Sequence, residues 1–165
     1  MKYNVYSFFN AFIPIIIISF FLLDSLFNVN LKGIIVILGL FINILVTMIT
    51  GNSFDIGESS TPNELCIPFT ISNMQTFIKL PINTSILCFV FIYLLSIAGI
   101  HGFLLVNMPF IAFMILLIIS DSLWLIQNSC FTGKQTFISA CVGILFGLFW
   151  SFVINKTNNK NLLYN

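Results

Sequence analysis

Five apolar runs, each close to the length needed to cross a bilayer, leave this chain very few folds to choose from. They fall near residues 7–27, 33–50, 85–100, 109–127 and 137–154. About 20 residues of α-helix span a hydrocarbon core about 30 Å thick. The runs are continuously apolar rather than alternating, which strongly favours helices over a transmembrane barrel. The expected fold is therefore all-α: a polytopic transmembrane helical bundle of about five spans, forming a single integral-membrane domain over residues 1–165. A soluble alternative fails on composition, because 59% of the residues are hydrophobic and 7% are charged, against about 25% charged in soluble domains. The first run lacks a small-x-small cleavage site and reads as a retained helix rather than a signal peptide.

Charge narrows the function classes. All six basic residues are lysines, so the chain has no guanidinium to clamp a phosphate with two parallel hydrogen bonds, and nucleic acid is not an expected partner. Cys66, Cys88, Cys130 and Cys141 show no metal-ligand spacing, and no metal or cofactor is expected. Five spans place the N-terminus, the interval 51–83 and the connection 128–136 on one membrane face. The turn 28–32, the turn at His101 and the C-terminal tail lie on the other. Lys2 and Lys134 count for the first face, and Lys32, Lys156 and Lys160 for the second. Three against two leans toward a cytosolic C-terminus.

Polar residues inside the runs are few. Asn43 lies in the second and Asp121 in the fourth. A central acid costs about 2.5–3.5 kcal/mol on insertion scales, so Asp121 is expected to face the bundle and to have a partner. That partner is either a Ser or Asn on a neighbouring helix or, in a salt bridge, Lys134 or Lys79. Cys66 and Cys130 share the long-loop face, and a disulfide between them is chemically allowed if that face is lumenal. Cys88 and Cys141 read as small packing residues. His101 reads as a turn residue between Gly99 and Gly102, and Asn83-Thr84-Ser85 matches a glycosylation acceptor too close to a helix to serve as one.

The interval 51–83 is the only long polar stretch. Loops of that length are usually functional or disordered. Within it Ile71, Met74, Phe77, Ile78 and Leu80 recur at roughly helical spacing opposite Ser72, Asn73, Gln75, Thr76 and Lys79. Two readings stay open: a short interfacial helix, or an irregular loop packed on the bundle.

The order of parts carries a resemblance. Two helices, a long loop, a helix opening after Pro81, a helical hairpin and a glycine-marked last helix resemble the type 2 phosphatidic acid phosphatase and haloperoxidase superfamily. Thr132–Gly147 lies without gaps over that superfamily's L-G-x-H-x(3)-D-x(3)-G-x(3)-G pattern, matching at Gly133, Gly143 and Gly147. The resemblance puts Gln135 at the catalytic histidine and Ser139 at its aspartate. Ser129 takes the place of an arginine, Thr84 that of the second histidine, and Thr61 that of the R-P arginine. Pro81–Ser85 and the Leu162–Tyr164 segment also resemble uncharacterised membrane proteins of large DNA viruses, degenerate members of the same superfamily.

Phosphoryl transfer in that superfamily needs a histidine nucleophile, a second histidine with its carboxylate, and cationic oxyanion donors. Every corresponding position is replaced here, and His101 lies on the opposite face by helix parity. The expected function is non-enzymatic: a structural or interaction component of a membrane, which the resemblance extends to the internal membrane of a virion. The bilayer is then one partner, and a membrane or virion protein reached through residues 51–83 is another. Two alternatives stand beside it, an active lipid phosphate phosphatase with displaced residues and a channel or small-solute transporter.

Overall fold

The computed structural model describes residues 5–28, 31–53, 79–100 and 102–156. They form five helices, α1 (Val5–Phe27), α2 (Lys32–Ser53), α3 (Ile82–Ile100), α4 (Met108–Gln127) and α5 (Gly133–Lys156), and no strand occurs among them. At 1.5 Å per residue the shortest, 19 residues long, reaches about 28 Å and the longest, 24 residues long, about 36 Å. The helices α2 to α5 are each long and apolar enough to cross a membrane, and α1 is apolar from Phe12 to Phe27. Large apolar side chains cover the outer surface, among them Phe41, Leu45, Leu116, Phe137, Leu145 and Phe152. Helices apolar on every side, with those faces left open, are built for lipid. The chain is an all-α, multi-pass bundle of the integral-membrane kind.

The links from α1 to α2, α3 to α4 and α4 to α5 are short and make those neighbours antiparallel, and Gly51 of α2 lies against Leu80 just before α3. The C-terminal ends of α2 and α4 therefore meet the N-terminal ends of α3 and α5. The central element is α3, which touches all four other helices and packs most extensively on α5. Its Ile86, Phe89, Val90 and Tyr93 join Val36 and Leu40 of α2 and Met114 of α4 in the core. Phe89 stacks on Tyr93 at 6.1 Å and on Phe146 at 5.8 Å, and Phe146 on Trp150 at 6.0 Å. Gly39 leaves the room for this column, because a Cβ there would sit 2.6 Å from Trp150 Nε1 and 2.9 Å from Phe89 Cζ.

The helices overrun the apolar stretches at their polar ends. Where hydropathy places spans at 33–50, 85–100 and 137–154, the helices run 32–53, 82–100 and 133–156. Local hydrogen bonding explains the excess. At the end of α2, the Thr50 and Ser53 hydroxyls donate to the carbonyls of Val46 and Ile49. Pro81, which lacks the N–H that a helix start leaves unused, accepts from the Ser85 amide and opens α3. A capping box opens α5: the Thr132 amide donates to Gln135 Oε1, and the Gln135 amide donates to Thr132 Oγ1. The connection 128–136 is thus shorter than the sequence suggests. The interval 51–83 likewise loses its first three residues to α2 and its last two to α3. The interfacial-helix segment of that interval lies mostly outside the described residues, as do Thr61, Cys66 and His101.

Candidate functional site

Six polar side chains are withdrawn completely from the surface at the end of the bundle where α3 and α5 begin. They are Asn43 and Thr47 of α2, Thr84 and Ser85 of α3, Asp121 of α4 and Ser139 of α5. Successive residues on a helix point about 100° apart, so Thr84 and Ser85 reach two different neighbours. Thr84 Oγ1 donates to Asp121 Oδ2 at 2.7 Å, joining α3 to α4. Ser85 Oγ accepts from Asn43 Nδ2 at 3.0 Å and lies 2.8 Å from Thr47 Oγ1, joining α3 to α2. Ser139 Oγ donates to the Pro81 carbonyl at 2.5 Å, joining α5 to the start of α3. One turn of α3 is thereby tied to three helices.

Among the positions that the family resemblance singles out, Thr84 and Ser139 are brought to the same end of α3 but take separate partners. Asp121 is held by Thr84, whereas the sequence names Ser, Asn or a lysine. Gln135 serves the α5 capping box and also accepts from Thr132 Oγ1 at 3.0 Å. Ser129 ends α4. Its amide donates to Ile126 and the Cys130 amide donates to Leu125, the paired bonds of a Schellman motif. This places Ser129 at φ 55°, where a side chain is costly and glycine is the usual occupant. Ser129→Gly is therefore expected to raise the midpoint of denaturant unfolding in micelles, by up to about 1 kcal/mol of stability. An unchanged or lowered midpoint would count against a strained Ser129.

Chemically, Thr84 and Asp121 form a hydroxyl–carboxylate pair, but full burial keeps both from water and from lipid headgroups. Asp121 Oδ1 and Asn43 Oδ1 have no hydrogen-bond partner. No group of three or more His, Cys, Asp or Glu residues able to hold a metal occurs among the described residues. Sequence inspection misses Thr47 and Ser85. Thr47 could have been found, because its i,i+4 spacing from Asn43 puts both on one face of α2; Ser85 carries no such signal. The capping box was also legible, in Thr132-Gly-Lys-Gln135. No family model matches this chain, and no curated protein or solved structure matches it significantly.

Proposed function

We propose that the protein is a non-catalytic component of a membrane, with a lipid-phosphatase-like layout whose catalytic positions have been turned to structural use. One observation carries this reading. Thr84, Ser129, Gln135 and Ser139, the described positions that correspond to catalytic groups in the resembled superfamily, each serve a helix junction, a helix stop or a cap. A hydroxyl or amide held in such a bond is not poised to attack a phosphorus or to support its oxyanions. The membrane is that of a virion if the likeness to the proteins of large DNA viruses holds, and residues between α2 and α3 supply the surface that meets a partner protein.

Purified protein in mixed micelles with phosphatidic acid is expected to release no inorganic phosphate above the protein-free blank. Release that survives purification and disappears in Thr84→Val would overturn the reading. A second reading, passage of an ion or small solute, draws on the orphaned oxygens of Asn43 and Asp121. Conductance across a planar bilayer, lost in Asp121→Asn, would put it in first place.

A further inference from the structure

The face that α3 turns to α5 carries Ser85, Cys88, Phe89 and Ile92. Phe91, Leu94 and Ala98, three and four residues apart and so on one other face of the helix, form the floor of a groove of about 310 Å³. Its walls are Phe20 of α1 and Phe110 and Ile111 of α4. The groove exists because α1 and α4 both pack on α3 but make no extensive contact with each other among the described residues. Of the described residues lining it only Asn107 is polar. Asn107 stands where α4 begins, with Nδ2 donating to the Phe103 carbonyl at 2.9 Å. The link at that end is itself apolar and open, since Phe103, Leu104, Leu105 and Val106 are all exposed. The mouth of the groove therefore lies among lipid rather than water.

Length and width select the occupant. From Phe91 to the end of α3 at Ile100 is about 14 Å at 1.5 Å per residue. One leaflet supplies half of a hydrocarbon core about 30 Å thick, so the groove runs the depth of one leaflet from the membrane face. An α-helix with its side chains is about 10 Å across, and a 10 Å length of it fills about 800 Å³. A helix of a second copy is thus too bulky to enter, whereas a single hydrocarbon chain is not. We propose that the groove is a lipid site that takes one acyl chain of a phospholipid, with the headgroup beside Asn107. An acyl chain asks for no polar partner along its length, and it gains close contacts from three helices where an open face offers contacts on one side alone. Such a site needs only that the bundle spans a membrane, whether or not the protein is an enzyme.

The test uses the full chain in vesicles of phosphatidylcholine, a fraction of which carries a photoactivatable diazirine midway along one acyl chain. After illumination the labelled peptides are read by mass. Label on residues 91–98 and 110–111 is expected to exceed several-fold that on Leu145 and Phe152, which are exposed on α5, and to saturate as the probe fraction rises. Ala98→Phe, which fills the groove, is expected to bring the groove label down to the level at Leu145, and Leu145→Phe to leave it unchanged. Equal labelling of the groove and of α5, or groove label undiminished in Ala98→Phe, overturns the site. Groove label that falls as protein is raised against lipid overturns it in favour of a second copy. Should Ala98→Phe fail to accumulate, the probe series with wild-type protein decides, because label that rises in proportion to the probe without saturating marks ordinary bilayer contact.

Discussion

Gly143→Ala is expected to cost about 3 kcal/mol, the upper part of the usual range for overpacking. A Cβ at Gly143 would fall inside contact distance of the Ser85 carbonyl oxygen and 3.0 Å from Cys88 Cβ. The obstacle is largely the backbone of α3, which cannot rotate aside as a flexible side chain can. Association of membrane helices rests on close packing rather than on hydrophobic expulsion, so separating α3 from α5 weakens the most extensive contact in the bundle. Gly147→Ala is expected to be milder, since its Cβ would lie 2.9 Å from the Phe89 carbonyl oxygen and 3.3 Å from Ile92 Cβ. Gly133→Ala serves as the control, because its nearest neighbour would be Ile126 Cδ1 at 3.9 Å. Unfolding midpoints in a mixed-micelle denaturant titration should therefore fall in the order Gly133→Ala, Gly147→Ala, Gly143→Ala. Equal midpoints for the three variants would refute the close α3–α5 approach.

The second large effect concerns Asp121. Replacement by leucine removes an acid whose burial opposes insertion by about 2.5–3.5 kcal/mol, so α4 alone should enter the bilayer more readily. The folded bundle is expected to respond with the opposite sign. Thr84 loses its partner, and a branched apolar side chain has to fit a space now filled by a carboxylate that is fully buried. Hydrogen bonds between membrane helices average about 0.6 kcal/mol and reach about 1.7. Misfit of the new side chain adds about 1–3 kcal/mol. A double-mutant cycle with Thr84→Val separates the two contributions. The expected coupling is about 0.6–1.7 kcal/mol, with Asp121→Asn close to wild type because its carboxamide oxygen still accepts from Thr84. A coupling near zero would mean that the Thr84–Asp121 bond contributes nothing to holding α3 against α4.

How far these features are legible in the sequence depends on what each one requires. The spans are legible because a backbone in hydrocarbon has no water to satisfy its polar groups and becomes helical wherever the chain stays apolar. Their ends are less so. Hydropathy starts the third span at Ser85 and leaves Asn83 and Thr84 in the loop, yet α3 includes them, with Thr84 and Ser85 turned inward to partners 37 and 42 positions away in the chain. The start of α5 is encoded locally by Thr132 and Gln135, and that signal was available to inspection. Asp121 announces that it needs a partner but not which one. Its partner turns out to be Thr84, a residue the family resemblance marks for a different reason.

The sequence by itself determined that this is a membrane bundle of about five spans, roughly where those spans lie, and that an acid and an amide would have to be hidden among them. The tertiary structure decided which surfaces meet. In runs apolar on every side, no stripe of hydrophobic residues points to the core, so the rotation of each helix is left to small residues and scattered hydroxyls. Gly143 facing the Ser85 carbonyl, Ser139 reaching Pro81, and Thr84 meeting Asp121 are pairings across 58, 58 and 37 positions of chain. They exist only once α3 is enclosed by its neighbours, because lipid solvates the outward faces of all five helices alike and only direct contact tells one face from another.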